Sequence, residues 1–174
     1  IIPLLAVVFY KFTLRVFFGM VSIPEDKIGL VTKKFVLFGK DRSLPDGKII
    51  ALKGEAGFQA DTLAPGYLGW GYWIWQYKID LVPFIQIPKG KIGLVSAKDG
   101  LALPTGSILA RHVESDDFQN ARMFLENQGK RGKQVGYLNN GVYRINTHLF
   151  DVAIADITVI EDGTIGIITT LDGI

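Results

Sequence analysis

The chain contains no cysteine and only two histidines. Disulfide frameworks, thiolate nucleophiles and cysteine-type zinc sites are therefore excluded, and His112 and His148 offer little for other metal chemistry. Charge of one sign is also scarce: 19 lysines and arginines stand against 17 aspartates and glutamates, leaving a net charge of +2. Such a balance is no nucleic-acid footprint, so no nucleic-acid partner is expected, although weak attraction to anionic lipid is allowed. Long apolar runs are missing too. A bilayer-spanning helix needs about 20 consecutive apolar residues, and the run at the amino end stops after Phe9.

What the sequence does have is apolar residues. Of its 174 residues 48% are hydrophobic and 21% charged, which is enough apolar surface to offset the ordering entropy of a folded domain. Residues 1–9 are uncharged, residues 16–21 continue in the same style, and only Lys11 and Arg15 interrupt them. Two readings fit: the distal part of a membrane span, or an interfacial helix over residues 1–21 with two snorkelling cations. A core helix and a secretory signal are the alternatives, the latter without a small-residue cleavage site. Leu4, Val7, Val8, Phe9, Phe12, Phe17 and Phe18 are the expected membrane contacts of this segment. Lys11, Arg15, Lys27, Lys33 and Lys34 follow the apolar run, which places the main domain on the cytoplasmic side of a single-pass or monotopic membrane protein. Because the first residue is Ile1 and the last residues, 171–174, stop just after a turn signal, the chain is expected to be part of a longer polypeptide.

Internal repetition is the strongest signal after the amino end. Three segments align: Ile23-Pro24-Glu25-Asp26-Lys27-Ile28-Gly29-Leu30-Val31, Ile87-Pro88-Lys89-Gly90-Lys91-Ile92-Gly93-Leu94-Val95 and Ile160-Glu161-Asp162-Gly163-Thr164-Ile165-Gly166-Ile167-Ile168. In each, a polar pair suited to a hairpin turn separates two apolar runs. Gly29, Gly93 and Gly166 then fall inside a strand pattern, where glycine marks a bulge or a close backbone approach. Pro65-Gly66 precedes the middle copy and Asn140-Gly141 the last, and both pairs suit tight turns. Long strands are expected over residues 77–87 and 149–160, with Pro83 placing the first near an edge. Residues 115–127 read instead as a helix, with Ser115 as N-cap, Gly129 as stop and Phe118, Ala121, Arg122 and Leu125 on one face. The expected fold class is α+β: mainly antiparallel β, built from repeated strand–turn–strand units with one clear helix, and preceded by a membrane-associated helix. The expected domains are an anchor over 1–21 and a β-rich domain over 22–174, divisible into two subdomains.

Residues 67–77 hold all three tryptophans. Trp70, Tyr72, Trp73 and Trp75 form a candidate second membrane contact, because tryptophan and tyrosine carry both an apolar ring and a polar edge. Read as a strand, this segment would put Trp73, Trp75 and Tyr77 on one face and Tyr72 and Ile74 on the other; core filling or a subunit interface is the competing use. Enzyme signals are absent. Lys130-Arg131-Lys133 lacks P-loop spacing, no serine stands in a Gly-x-Ser-x-Gly context, and Asp116-Asp117 and Glu161-Asp162 sit where a helix start and a turn want acidic residues. No enzymatic activity and no cofactor is expected.

Gly54-Glu55-Ala56-Gly57-Phe58-Gln59, residues 63–75 and 87–100, Gly132-Lys133-Gln134, Tyr143-Arg144-Ile145-Asn146 and Leu149-Phe150-Asp151-Val152 occur in an order that resembles the SPFH/band-7 (flotillin, stomatin, prohibitin) family, closest to bacterial flotillin-like proteins. The resemblance covers residues 23–174. It implies a membrane-anchored scaffold that organises membrane microdomains as a homo-oligomeric ring or cage, with the lipid bilayer and membrane proteases as partners. The family's long heptad-bearing helices are not among these residues. Two further readings stay open: a regulatory subunit of a membrane protease, and a soluble shell protein of vault-like repeats.

Overall fold

Proline, glycine and acidic pairs cut the apolar segments so often that no strand among the described residues exceeds seven residues. The computed structural model describes residues 2–37 and 43–169; the side chains of residues 2–8 and 11 lie outside that description, and with them the expected contacts Leu4, Val7 and Val8. The fold is mainly antiparallel β with two helices, so the α+β class is seen. The chain divides into two compact units, one ending at Phe84 and one starting at Ile85.

The first unit opens with helix α1 (Ile2–Phe17), followed by β1 (Val21–Ser22), β2 (Lys27–Lys33), β3 (Ile50–Ala51), β4 (Gly57–Leu63), β5 (Leu68–Gly69) and β6 (Tyr77–Pro83). β2 is the central strand, antiparallel to both β4 and β6, with Gly29 opposite Leu63 on one side and Leu81 on the other. β3 adds a short parallel pairing to β4, and β1 pairs with β5. Ile23, Val31 and Leu63 form the buried centre, against which Tyr67, Tyr72, Tyr77 and Ile79 pack. Pro83 ends β6, which among the described residues pairs only with β2; that edge position suits a residue with no N–H to donate.

The second unit contains β7 (Ile85–Ile87), β8 (Lys91–Ala97), α2 (Ala121–Glu126), β9 (Gly132–Leu138), β10 (Gly141–Tyr143) and β11 (Phe150–Asp156). β8 is central between β9 and β11, Gly93 lies opposite Leu138 and Ile154, and β7 pairs with β10. The two units repeat each other beyond the topology. The register of the central strand slips between Leu30 and Thr32 in one and between Leu94 and Ser96 in the other. The Gln59 side chain donates to the carbonyls of Glu55 and Gly57, and that of Gln134 to those of Lys130 and Gly132. Ala51 pairs in parallel with Gln59, as Ala110 does with Gln134. Even the turn into the last strand matches, Tyr77 N–H donating to Trp73 O at 2.8 Å and Phe150 N–H to Asn146 O at 2.9 Å.

The strand glycines earn their place by close approach. A Cβ added at Gly29 would lie 2.8 Å from Ile23 Cδ1, and one at Gly93 2.5 Å from Ile87 Cδ1. The isoleucine before each hairpin turn thus folds over the glycine after it, and no side chain fits between.

Three expectations change. The helix over 115–127 shrinks to Ala121–Glu126, capped by Asn120, whose side chain accepts from Met123 N–H at 2.9 Å. Asp116, Asp117 and Phe118 take positive φ values of 53, 49 and 61°, a left-handed turn that no right-handed helix can include. Ser115 caps this turn through its hydroxyl, which accepts from Phe118 N–H at 3.3 Å. Phe118, Ala121 and Phe124 are the buried residues, while Arg122 and Leu125 are only half-buried. The long strand over 77–87 is broken at Phe84 into β6 and β7, which belong to different sheets. Residues 157–160 lie outside β11, so the second long strand ends at Asp156.

Candidate functional site

Helix α1 is mostly apolar, with Lys11 and Arg15 as its charges, and ends just before the chain reaches Gly19. At 16 residues it is about 24 Å long at 1.5 Å per residue, against a hydrocarbon core of about 30 Å. No helix among the described residues is long and apolar enough to cross a membrane. The carboxyl end of such a helix leaves backbone carbonyls without partners. Here the tryptophan loop supplies them. Trp73 Nε1–H donates to Phe17 O at 3.0 Å, Gly71 N–H to Phe18 O at 3.0 Å and Tyr72 N–H to Gly19 O at 2.9 Å. Gly19 makes this docking workable: its φ is +64°, and a Cβ there would stand 2.7 Å from the backbone nitrogens of Tyr72 and Trp73.

The expected aromatic strand over 67–77 is therefore a loop. Within it only Leu68–Gly69 and Tyr77, the first residue of β6, pair as strand, and a turn closes from Trp73 to Tyr77. A strand would have spent the N–H groups of Gly71 and Tyr72 on a sheet ladder, whereas here they bond the carbonyls of Phe18 and Gly19, the two residues that follow α1. The loop sorts its rings onto two sides. Outside, Phe18 meets Trp70 edge-to-face at 6.0 Å, Trp73 stacks on Trp75 at 5.8 Å, and Trp75 stacks on Phe35 at 5.9 Å. Inside, Tyr72 meets Tyr67 and Tyr77 edge-to-face at 6.3 and 5.4 Å, against the Ile23–Val31–Leu63 core. Tyr72, expected among the membrane contacts, is thus turned inward.

The outer rings are open to solvent: Phe17 is 71% exposed, Phe18 57%, Trp70 55% and Trp75 46%. Phe9 and Phe12 extend the exposed apolar surface along α1. Leu68 and Ile74 of the aromatic segment also join the exposed set, as do Phe35 and Leu37, which sequence reasoning passed over. The available signal was Phe35-Val36-Leu37 following Lys33-Lys34 directly, an apolar triplet on the heels of two charges. Lys34 tethers the loop from the side, its Nζ donating to Ile74 O at 2.7 Å and its backbone N–H to Gln76 O at 2.8 Å.

Burial raises the Tyr72 hydroxyl above the ordinary tyrosine range, helped by charge and a hydrogen bond from Tyr67 and by the charges of Tyr77 and Asp61. Burial alone raises Tyr77. A raised phenol pKa means that the folded state favours the neutral form. The associated stability is present below the unfolded value of about 10 and is lost as pH rises through the folded value. The first unit is expected to loosen above about pH 10, with phenolate absorbance appearing together with the change in tryptophan fluorescence. Ionisation of Tyr72 well below that pH in the folded protein would contradict this.

Elsewhere the geometry offers little chemistry. Among the described residues no group of three or more histidines, aspartates and glutamates could hold a metal ion. Lys130 and Arg131 run beside Leu101, the Arg131 N–H donating to Leu101 O at 2.9 Å, and Arg131 and Lys133 point to solvent. His112 lies edge-to-face with Phe118 at 6.3 Å. Of the repeat-turn glycines, Gly66 sits in a turn with φ of +70° beside Glu25, Gly141 opens β10, and Gly166 follows a turn at Asp162-Gly163. The aromatic surface around the end of α1 is an extended feature built from several elements. No family model, curated protein or solved structure matches the chain.

Proposed function

We propose that this chain is a membrane-anchored scaffold without enzymatic activity, held at the bilayer surface by α1 and the tryptophan loop together. The observation that supports it is the continuity of the two: α1, Phe18, Trp70, Trp75 and Phe35 present exposed rings around one helix end whose carbonyls the loop caps. A monomeric soluble protein rarely leaves so many large apolar side chains open in one place. In the headgroup region these rings lose water while their polar edges keep it. Capping matters there, because a helix end without hydrogen-bond partners is costly near hydrocarbon. Arg15 and Lys34 flank the rings and suit an anionic, cytoplasmic leaflet.

Lateral assembly into a ring or cage, as in the SPFH/band-7 family that the sequence resembles, is the second half of the proposal. Among the described residues β6 and β11 each pair with one neighbour only, and closed assembly is one way to cover such edges. Negative-stain micrographs of the detergent-extracted protein should then show closed particles of uniform size.

The anchor is tested by a Trp70→Ser, Trp75→Ser double variant, which leaves the Trp73 cap in place. Its partitioning to vesicles of phosphatidylcholine and phosphatidylserine should fall on the order of tenfold or more, since each 1.4 kcal/mol of lost burial is a factor of ten. Unchanged partitioning with an unchanged circular dichroism spectrum would rule out the loop as a membrane contact.

A further inference from the structure

Residues 158–169 reproduce the opening of both units and then stop short of the rest. Thr164 N–H donates to Glu161 O at 3.1 Å across their turn, as Lys27 does to Pro24 O at 3.3 Å and Lys91 to Pro88 O at 3.2 Å. Ile160 folds over Gly166 as Ile23 does over Gly29 and Ile87 over Gly93; a Cβ at Gly166 would meet Ile160 Cδ1 closer still. The spacing from the preceding strand is also kept. Phe84 alone separates β6 from β7, and Ile157 takes the same place after β11, its N–H donating to Gly90 O at 3.2 Å.

Burial is where the third copy departs. Ile28, Leu30 and Val31 are 1, 1 and 5% exposed, and in the second unit Ile92 is half-buried, Leu94 48% and Val95 2% exposed, whereas the counterparts Ile165, Ile167 and Ile168 are 92, 92 and 87% exposed. The turn and the residue types are alike, so local sequence does not account for the contrast. Flanking strands do. β2 is held between β4 and β6 and β8 between β9 and β11, but no strand pairs with residues 164–169 among the described residues. An isolated hairpin is marginal in water, and a strand with both edges bare and three exposed isoleucines is a template for further pairing.

We propose that residues 158–169 are the first hairpin of a third unit of this fold, with residues 164–169 as its central strand. Its occupant is a pair of antiparallel strands of the β9 and β11 type, supplied by the same polypeptide on the carboxyl side of the hairpin. The two described units argue for that source: in both, the strands that flank the central one follow it in sequence, Leu63 and Leu81 meeting Gly29 and Leu138 and Ile154 meeting Gly93. Consecutive elements usually pack as neighbours, and a repeat array buries each unit's apolar face by adding the next. One of the two strands would approach Gly166 with a large aliphatic residue, as Leu63 and Leu138 do at the equivalent glycines.

Hydrogen exchange of the full-length natural polypeptide tests this. The amides of residues 164–169 should exchange on the order of a thousand-fold more slowly than in an unstructured chain, as those of the paired strands β2 and β8 should, and independently of protein concentration. Gly166→Val should abolish that protection while leaving β2 and β8 protected. Free exchange at residues 164–169 would overturn the proposal. So would protection that grows with concentration, since a second copy would then supply the strands, or protection that Gly166→Val leaves untouched.

Discussion

Gly93→Val is expected to destabilise the second unit by about 3 kcal/mol, at the upper end of what overpacking a close-packed core costs. The backbone at Gly93 is ordinary strand, so valine meets no dihedral penalty; the obstacle is space. A Cβ at this position would stand 2.5 Å from Ile87 Cδ1, 3.0 Å from Val152 Cγ1 and 3.2 Å from Leu138 Cβ. Those three atoms come from three strands, β7, β11 and β9, and two of those strands are bonded to β8 along their length. Moving aside therefore means breaking a ladder or turning Ile87 out of the core, where it is 4% exposed. The expected readout is a fall in the urea midpoint with little change in the slope. Adding Ile87→Ala to a Gly93→Ala variant should recover part of the loss, because the small pair removes the nearest obstruction and the two changes are coupled. An unchanged midpoint for Gly93→Val would mean that the glycine is not held by packing.

Phe150→Ala is expected to cost about 4 kcal/mol, within the range for deleting a buried aromatic ring. Phe150 is fully buried and meets Phe118 edge-to-face at 5.4 Å and Phe124 at 5.0 Å. It joins three pieces of chain distant in sequence: the left-handed turn at 116–118, helix α2 and the first residue of β11. α2 has six residues and would not persist alone, since short helices in water are held by packing and not by propensity. Losing the ring should release α2 first, visible as faster hydrogen exchange at residues 121–126, and then weaken β11, which among the described residues pairs only with β8. Phe150→Leu, which keeps most of the volume, should cost less than half as much. Equal stability of Phe150→Ala and the parent chain would show that the cluster is not the core of this unit.

How much could be read from the residues differs by feature. The hairpin turns at Glu25-Asp26, Lys89-Gly90 and Asp162-Gly163 follow from local chemistry, because turn residues act over four positions and need no distant partner. Gly29 and Gly93 were legible as places of close approach, though not what approaches them. The tryptophan segment was legible as aromatic and wrongly expected to be a strand. Alternating rings satisfy a strand pattern, but the backbone of Gly71 and Tyr72 has a better use at the end of α1, more than fifty residues earlier. Ser115 looked like a helix cap and does cap a turn, yet Asp116, Asp117 and Phe118 are left-handed so that Phe118 can reach Phe150.

By itself, then, the sequence determined the repeat, the mostly antiparallel β composition, the positions of the turns and the absence of thiol chemistry. Each of these depends on residue type and short spacing. Tertiary structure alone decided which rings face out and which face in, because that choice turns on hydrogen bonds between segments far apart in the chain. It separated Tyr72, packed on the core, from Trp70 and Trp75, left in the open. It also decided the fate of the three Ile-Gly hairpins. The same local pattern is largely buried where two later strands flank it, exposed Leu94 apart, and bare where none among the described residues does, since a strand's burial belongs to its neighbours and not to itself.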